Sequence, residues 1–274
     1  MNGMYPTLVK RELWEHRWLW LAPVVVAALI LLVGVFGVIA TQGSDFHFRM
    51  PRGTNLGDGV GMPGSSAMYV GIFGLTSQLY IVAGIVATFY LLDSLYAERK
   101  DRSILFWKSL PVSDLQTVAA KYAVGMLAPP VLGIVLVTVV YPVLHTMSIM
   151  GVPGFAEAAG GWNVGDWLRA EARMAASLVV TTLWFAPVGA WYMLASVISS
   201  RSPYFLAGMP IVVLGVCESM LFHTGHVWRF VVWRLTPVFQ PLEGLARPSL
   251  WIGLAVAAGM LYIVIRLRRY RDDT

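Results

Sequence analysis

Charge is scarce in this chain. Only 13% of its 274 residues are charged, about half the usual share, and 57% are apolar. A soluble globule of this length would carry more charge on its surface, so the composition points to a lipid environment. Cysteine is scarcer still. Cys217 stands alone, which excludes an intramolecular disulfide, and one thiol inside an apolar segment says nothing about redox compartment. The signatures of common chemistries are missing too. No Gly-x-x-x-x-Gly-Lys-Ser/Thr occurs, so ATP is not bound through a P-loop. Neither His-Glu-x-x-His nor Gly-x-Ser-x-Gly occurs, which counts against an intramembrane hydrolase. Gly57-Asp58-Gly59, in a glycine-rich stretch, reads as a turn. No internal repeat is found, and nothing alternates in the manner of a membrane β-barrel.

What is present is a series of long uncharged runs. Trp18 to Ala40, Val60 to Leu92, Tyr122 to Ala156, Met174 to Ser200, Ser202 to Cys217 and Pro248 to Ile265 carry no Asp, Glu, Lys or Arg. A helix needs about 20 residues to cross about 30 Å of hydrocarbon. Six spans are predicted, near residues 18–40, 68–93, 118–147, 174–198, 204–222 and 249–266. The expected fold is an all-α integral membrane protein, one transmembrane domain over residues 1–274. The fifth span is the least secure, because Glu218 interrupts its end, and Asp93 reads as the terminus of the second. Pro23, Pro129, Pro130, Pro142, Pro187 and Pro210 fall inside spans. Gly34, Gly37, Gly71, Gly74, Gly84, Gly189, Gly253 and Gly259 are expected to let helices approach closely.

Basic residues orient the bundle. With the N-terminus in the cytosol, thirteen of the twenty Lys and Arg fall in inside segments and seven outside. The bias favours both termini inside. The pI of about 9.4 therefore reads as topology and contact with anionic lipid rather than nucleic-acid binding. Thr7 to Trp18 is expected to be an amphipathic helix on the inner leaflet, with Lys10, Arg11, Glu12 and Glu15 facing water. Its apolar continuation is too long for a cleavable signal. Residues 266–274 read as a basic stop that snorkels to the headgroups. Residues 223–249 are too apolar for open water, yet Arg229 and Arg234 prevent a seventh span. Short re-entrant helices in the outer leaflet satisfy both facts, and a plain aromatic belt is the alternative. His223 and His226 are spaced as His-x-x-His after Glu218. Two histidines near a membrane surface read more simply as interfacial, and no metal site is assigned. Glu218 and His223 remain candidates for the pathway or an outer gate.

The charged island from Glu98 to Lys121 interrupts the apolar pattern. Ile104, Trp107 and Leu110 share a helical face with Phe106 beside it, while Arg102 and Lys108 lie off that face. Pro111 ends the helix. Two readings are open: a cytosolic handle for a soluble partner, or a helix lying on lipid headgroups. Glu98, Ser103-Ile104, Phe106-Trp107, Leu110-Pro111-Val112-Ser113 and Lys121 resemble the loop between the second and third spans of type-2 ABC exporter permeases. Arg102 departs from the pattern, standing where that family often has glycine. Six spans, an amphipathic N-terminal helix and a helical fifth-to-sixth outer loop fit the resemblance along the whole length.

The resemblance implies a non-enzymatic permease subunit of a bacterial cytoplasmic membrane. It would pair with a second permease copy or a homologous permease. Two copies of a separate ATPase, holding ATP and Mg, would dock on a coupling helix at 101–110. Glu98, Arg102, Ser103, Ile104, Phe106, Trp107, Lys108 and Leu110 are then the coupling residues, and no cofactor belongs to this chain. Export of a lipid-like or amphipathic compound is the expected function. An intramembrane enzyme and an ion-coupled carrier or channel are the alternatives.

Overall fold

The structure, a computed structural model, describes residues 4–41, 65–102, 112–149, 164–238 and 240–270. Among them are ten helices and no strand. They are α1 (Met4–Glu15), α2 (Trp18–Thr41), α3 (Ser65–Asp93), α4 (Tyr96–Lys100), α5 (Asp114–Ile149), α6 (Val164–Ile198), α7 (Pro203–Phe222), α8 (His226–Leu235), α9 (Pro241–Ala246) and α10 (Pro248–Tyr270). Five helical stretches are long and apolar enough to cross a membrane, or up to six if α1 and α2, broken at His16 and Arg17, form one bent span. The chain is thus an all-helical membrane protein. The uncharged runs predict these helices well because no water-facing side is required of them. α3 ends at Asp93, as expected. α7 keeps its helix through Glu218 to Phe222, so the acid does not break it.

The chain forms two compact units. The first comprises Met1–Leu19, Gly84–Pro129 and Ser177–Thr274. Its main apolar core gathers Leu19, Leu91, Val118, Met193, Val197 and Val264 from α2, α3, α5, α6 and α10. Where α5 meets α6 the backbones come close. A Cβ on Gly189 would strike Met126, and the Tyr122 hydroxyl donates to the Ala186 carbonyl at 2.7 Å. Small residues at such crossings are how membrane helices pack without a hydrophobic driving force. Gly253 is also crowded, whereas Gly74, Gly84 and Gly259 face open space, so close approach is not their role. Cys217, inside its apolar segment, is exposed on α7.

The second unit comprises Trp20–Ala83 and Pro130–Ala176. Here Thr138 donates to Glu171 at 2.7 Å, giving a carboxylate within an apolar helix a hydroxyl partner. Val131, Val135 and Val139, one turn apart on α5, are all exposed. A continuous apolar ridge of this kind is stable in lipid or against a partner and unfavourable in water.

Candidate functional site

Glu12 was expected to face water, but it is 3% exposed and lies at the centre of a buried ion network in the first unit. The Tyr90 hydroxyl donates to Glu12 Oε2 at 2.9 Å. Lys121 Nζ, itself 3% exposed, contacts Glu12 Oε1 at 3.1 Å and Oε2 at 3.2 Å. The same ammonium lies 3.3 Å from Glu98 Oε1. Arg268 continues the chain, with Nη2 3.1 Å from Glu98 Oε2 and Nε 3.3 Å from Asp114 Oδ1. It too is 3% exposed, and so does not snorkel as the C-terminal sequence suggests. The network therefore joins α1, the last turn of α3, α4, the start of α5 and the last turn of α10.

Burial of Glu12 by itself raises its carboxyl pKa. The Lys121 charge and the hydrogen bonds from Tyr90 and Lys121 outweigh that effect and hold it below its ordinary value. His16 stands at the edge, 3.9 Å from Glu12 and edge-on to Tyr90. Burial lowers its pKa, with Glu12 opposing. Taking several ions out of water costs several kcal/mol each, so such a cluster fixes geometry more than it adds stability.

That geometry frames residues 103–111. On the leading side, α4 is pinned to the end of α6. The Leu95 and Tyr96 amides donate to Ser196 Oγ at 3.1 and 3.0 Å, and Arg99 Nη2 donates to the Ser196 and Ser199 carbonyls at 2.7 Å each. Arg102 closes α4 in the left-handed region, with φ of 55°. Glycine takes that conformation without strain, so an arginine there carries a backbone cost. On the trailing side, Ser113 and Gln116 form a reciprocal capping box. The Gln116 amide donates to Ser113 Oγ at 3.2 Å, and the Ser113 amide donates to Gln116 Oε1 at 3.1 Å.

The expected coupling residues divide accordingly. Glu98 is buried in the network and Arg102 is exposed. Ser103, Ile104, Phe106, Trp107, Lys108 and Leu110 lie outside the described residues. Glu12, Asp114 and Arg268 are network members that the sequence reading did not single out. Their only sequence signal is charge beside an apolar run, and their partners are distant in the chain.

At the other candidate position, Glu218 caps a neighbouring helix. It accepts from the His226 and Val227 amides at 2.7 Å each and from Thr224 Oγ1 at 2.6 Å. Those amides open α8, so a carboxylate from α7 meets the positive end of the next helix. His226 Nδ1 lies 2.9 Å from the same carboxylate. His223 is not brought in. It is exposed and ends α7 with φ of 51°. Among the described residues no group of three potential metal ligands forms. The loop expected to be helical does contain two short helices, α8 and α9.

No family model, curated protein or solved structure matches this chain.

Proposed function

We propose that this chain is the permease subunit of an ATP-driven exporter. It crosses a bacterial cytoplasmic membrane six times with both termini in the cytosol. It pairs with a second permease, and a separate ATPase docks on residues 101–110. α8 and α9 are then re-entrant helices of the outer leaflet. One observation carries this reading: the buried network at Glu12, Lys121, Glu98, Arg268 and Asp114 braces both sides of the charged island. A helix that merely rested on headgroups would need no such frame. A helix that passes force from a soluble motor into the spans does, because a displacement at 103–111 must reach α1, α5 and α10 without being lost in a loose joint.

The test is co-purification with a P-loop ATPase encoded beside this chain, followed by measurement of substrate-stimulated hydrolysis. Burying one aromatic at an interface centre contributes about 2 kcal/mol or more. Trp107→Ala should therefore weaken ATPase association at least tenfold, or uncouple hydrolysis, while the monomer elutes normally. Full association together with unchanged export in that variant would overturn the coupling assignment.

A further inference from the structure

α8 contributes a third buried cation, beside Lys121 and Arg268, and the ion network does not include it. Arg234 is 8% exposed. Its guanidinium lies over the Trp184 indole, 4.3 Å from the ring centroid, and against Gly253, where any Cβ would collide with it. Trp184 Nε1 donates to the Arg234 carbonyl at 2.9 Å, which fixes the backbone beneath the side chain. The side chain is thus held in place, and no ion pair to it forms among the described residues. Nη2 is buried with no hydrogen-bond partner among the described residues. Glu218, the acid on neighbouring α7, is occupied at the opposite end of α8.

Arg234 is also one of the residues that line a cavity of about 530 Å3. That volume falls within the range of about 300–1,000 Å3 usual for small-molecule sites. The remaining walls are almost wholly apolar, with Trp191 of α6, Leu214 of α7, Phe230 and Trp233 of α8, and Ile252 of α10. An arginine cannot shed its charge, so a buried one without a partner is unfavourable until an anion arrives. Its planar fork matches a carboxylate or a phosphate in two parallel hydrogen bonds. One charged residue in an otherwise mostly apolar lining fits a molecule with one charged end.

We propose that this cavity binds an anionic amphiphile, with its carboxylate or phosphate paired to Arg234 and its hydrocarbon body against Trp191, Leu214 and Ile252. The inference does not rest on the exporter reading, since a resident lipid and a transported compound would be held by the same chemistry.

The purified full chain in neutral detergent can be titrated with bromine-labelled stearate and with its methyl ester, reading quenching of tryptophan fluorescence. The ionised stearate should quench saturably at a concentration about tenfold or more below that of the ester, as expected for a desolvated charge pair. Acetate should not compete, because it lacks the body. Arg234→Met should bring stearate to the level of the ester, while Arg234→Lys keeps part of the difference. Leu214→Trp, which takes up room in the chamber and keeps Arg234, should weaken both probes. Bromine-labelled phosphatidylglycerol, tested against phosphatidylcholine, separates the sources. Arg234-dependent preference for the former indicates a membrane lipid, and preference confined to stearate indicates a single-chain compound. Equal quenching by stearate and ester in the wild type would overturn the proposal, and that comparison needs no variant. So would full stearate affinity in a folded Arg234→Met, or competition by acetate at concentrations comparable to those at which stearate binds.

Discussion

Lys121 and Arg234 are both cations buried within the first unit, and they are kept there in different ways. Lys121 sits between two carboxylates, 3.1 Å from Glu12 and 3.3 Å from Glu98, and Arg268 extends the chain of charges to Asp114. Arg234 has an aromatic face, a glycine and an apolar chamber around it, with no hydrogen bond to its Nη2 among the described residues. In the first arrangement each cation meets a carboxylate, so its role is to hold five segments in one geometry. The second is incomplete, and what would complete it is a ligand. The difference also separates two kinds of hidden charge. Breaking a paired ion strands its partners in low dielectric, whereas removing a lone ion strands nothing.

The largest effect should come from Lys121→Met. It leaves Glu12 and Glu98 buried without their shared ammonium, a loss on the order of 3–5 kcal/mol for a buried pair. The thermal midpoint of the detergent-solubilised chain, followed by size-exclusion chromatography, should fall steeply or the protein should fail to accumulate. Glu12→Gln combined with Lys121→Met should recover part of the loss, since the two sites are coupled and their effects do not add. A midpoint unchanged by Lys121→Met would mean that the network is not a structural frame.

Acid should act on the same end more gradually. Both titrating groups there have folded-state pKa values below their ordinary ones, 6.5 for His16 and 4.5 for Glu12. In each case the unfolded chain binds protons more readily, so stability is fully present above the ordinary value and declines as pH falls through the depressed one. Thermal midpoints should therefore begin to drop below about pH 6.5, through His16, and drop further below about 4.5, through Glu12. His16→Gln should remove the upper step and leave the lower. An upper step that persists in His16→Gln would assign it to another group.

Much of the helix layout was legible because a bilayer imposes a simple rule on sequence: about 20 residues without charge. The Ser113-x-x-Gln116 start of α5 is a local pattern that the expected span near 118–147 left out. Ser113→Ala should cost about 1 kcal/mol by removing that cap. Its effect should be visible as a small drop in midpoint, and no drop would mean that the start of α5 is held by the network alone. The network itself was not legible. Glu12, Glu98, Lys121 and Arg268 are far apart in sequence, and each sits near the end of an apolar run, where contact with water or headgroups is the simpler explanation. At Glu218 the sequence showed an acid near a span end but not that its carboxylate caps α8. Arg234 was read only as a bar to a seventh span. That no ion pair to it forms among the described residues depends on where Glu218 and the acids of α1, α4 and α5 are spent, which no local pattern shows.

The smallest stability effect is the sharpest test of the contrast. Arg234→Met removes a desolvated charge and a stacking contact on Trp184 at once. The contact is worth about 0.5–2 kcal/mol, and relief of the unpaired charge offsets it. In lipid-free detergent the thermal midpoint of Arg234→Met should thus stay within about 1 kcal/mol of the wild type, on either side. Ligand should separate the two proteins. Anything that binds only the folded state raises its midpoint by mass action, so added stearate should stabilise the wild type and leave Arg234→Met unmoved. A drop comparable to that of Lys121→Met, without ligand, would show that Arg234 has a structural partner after all. The two ends of the first unit would then be built on the same principle, and the cavity would lose its claim to an anion.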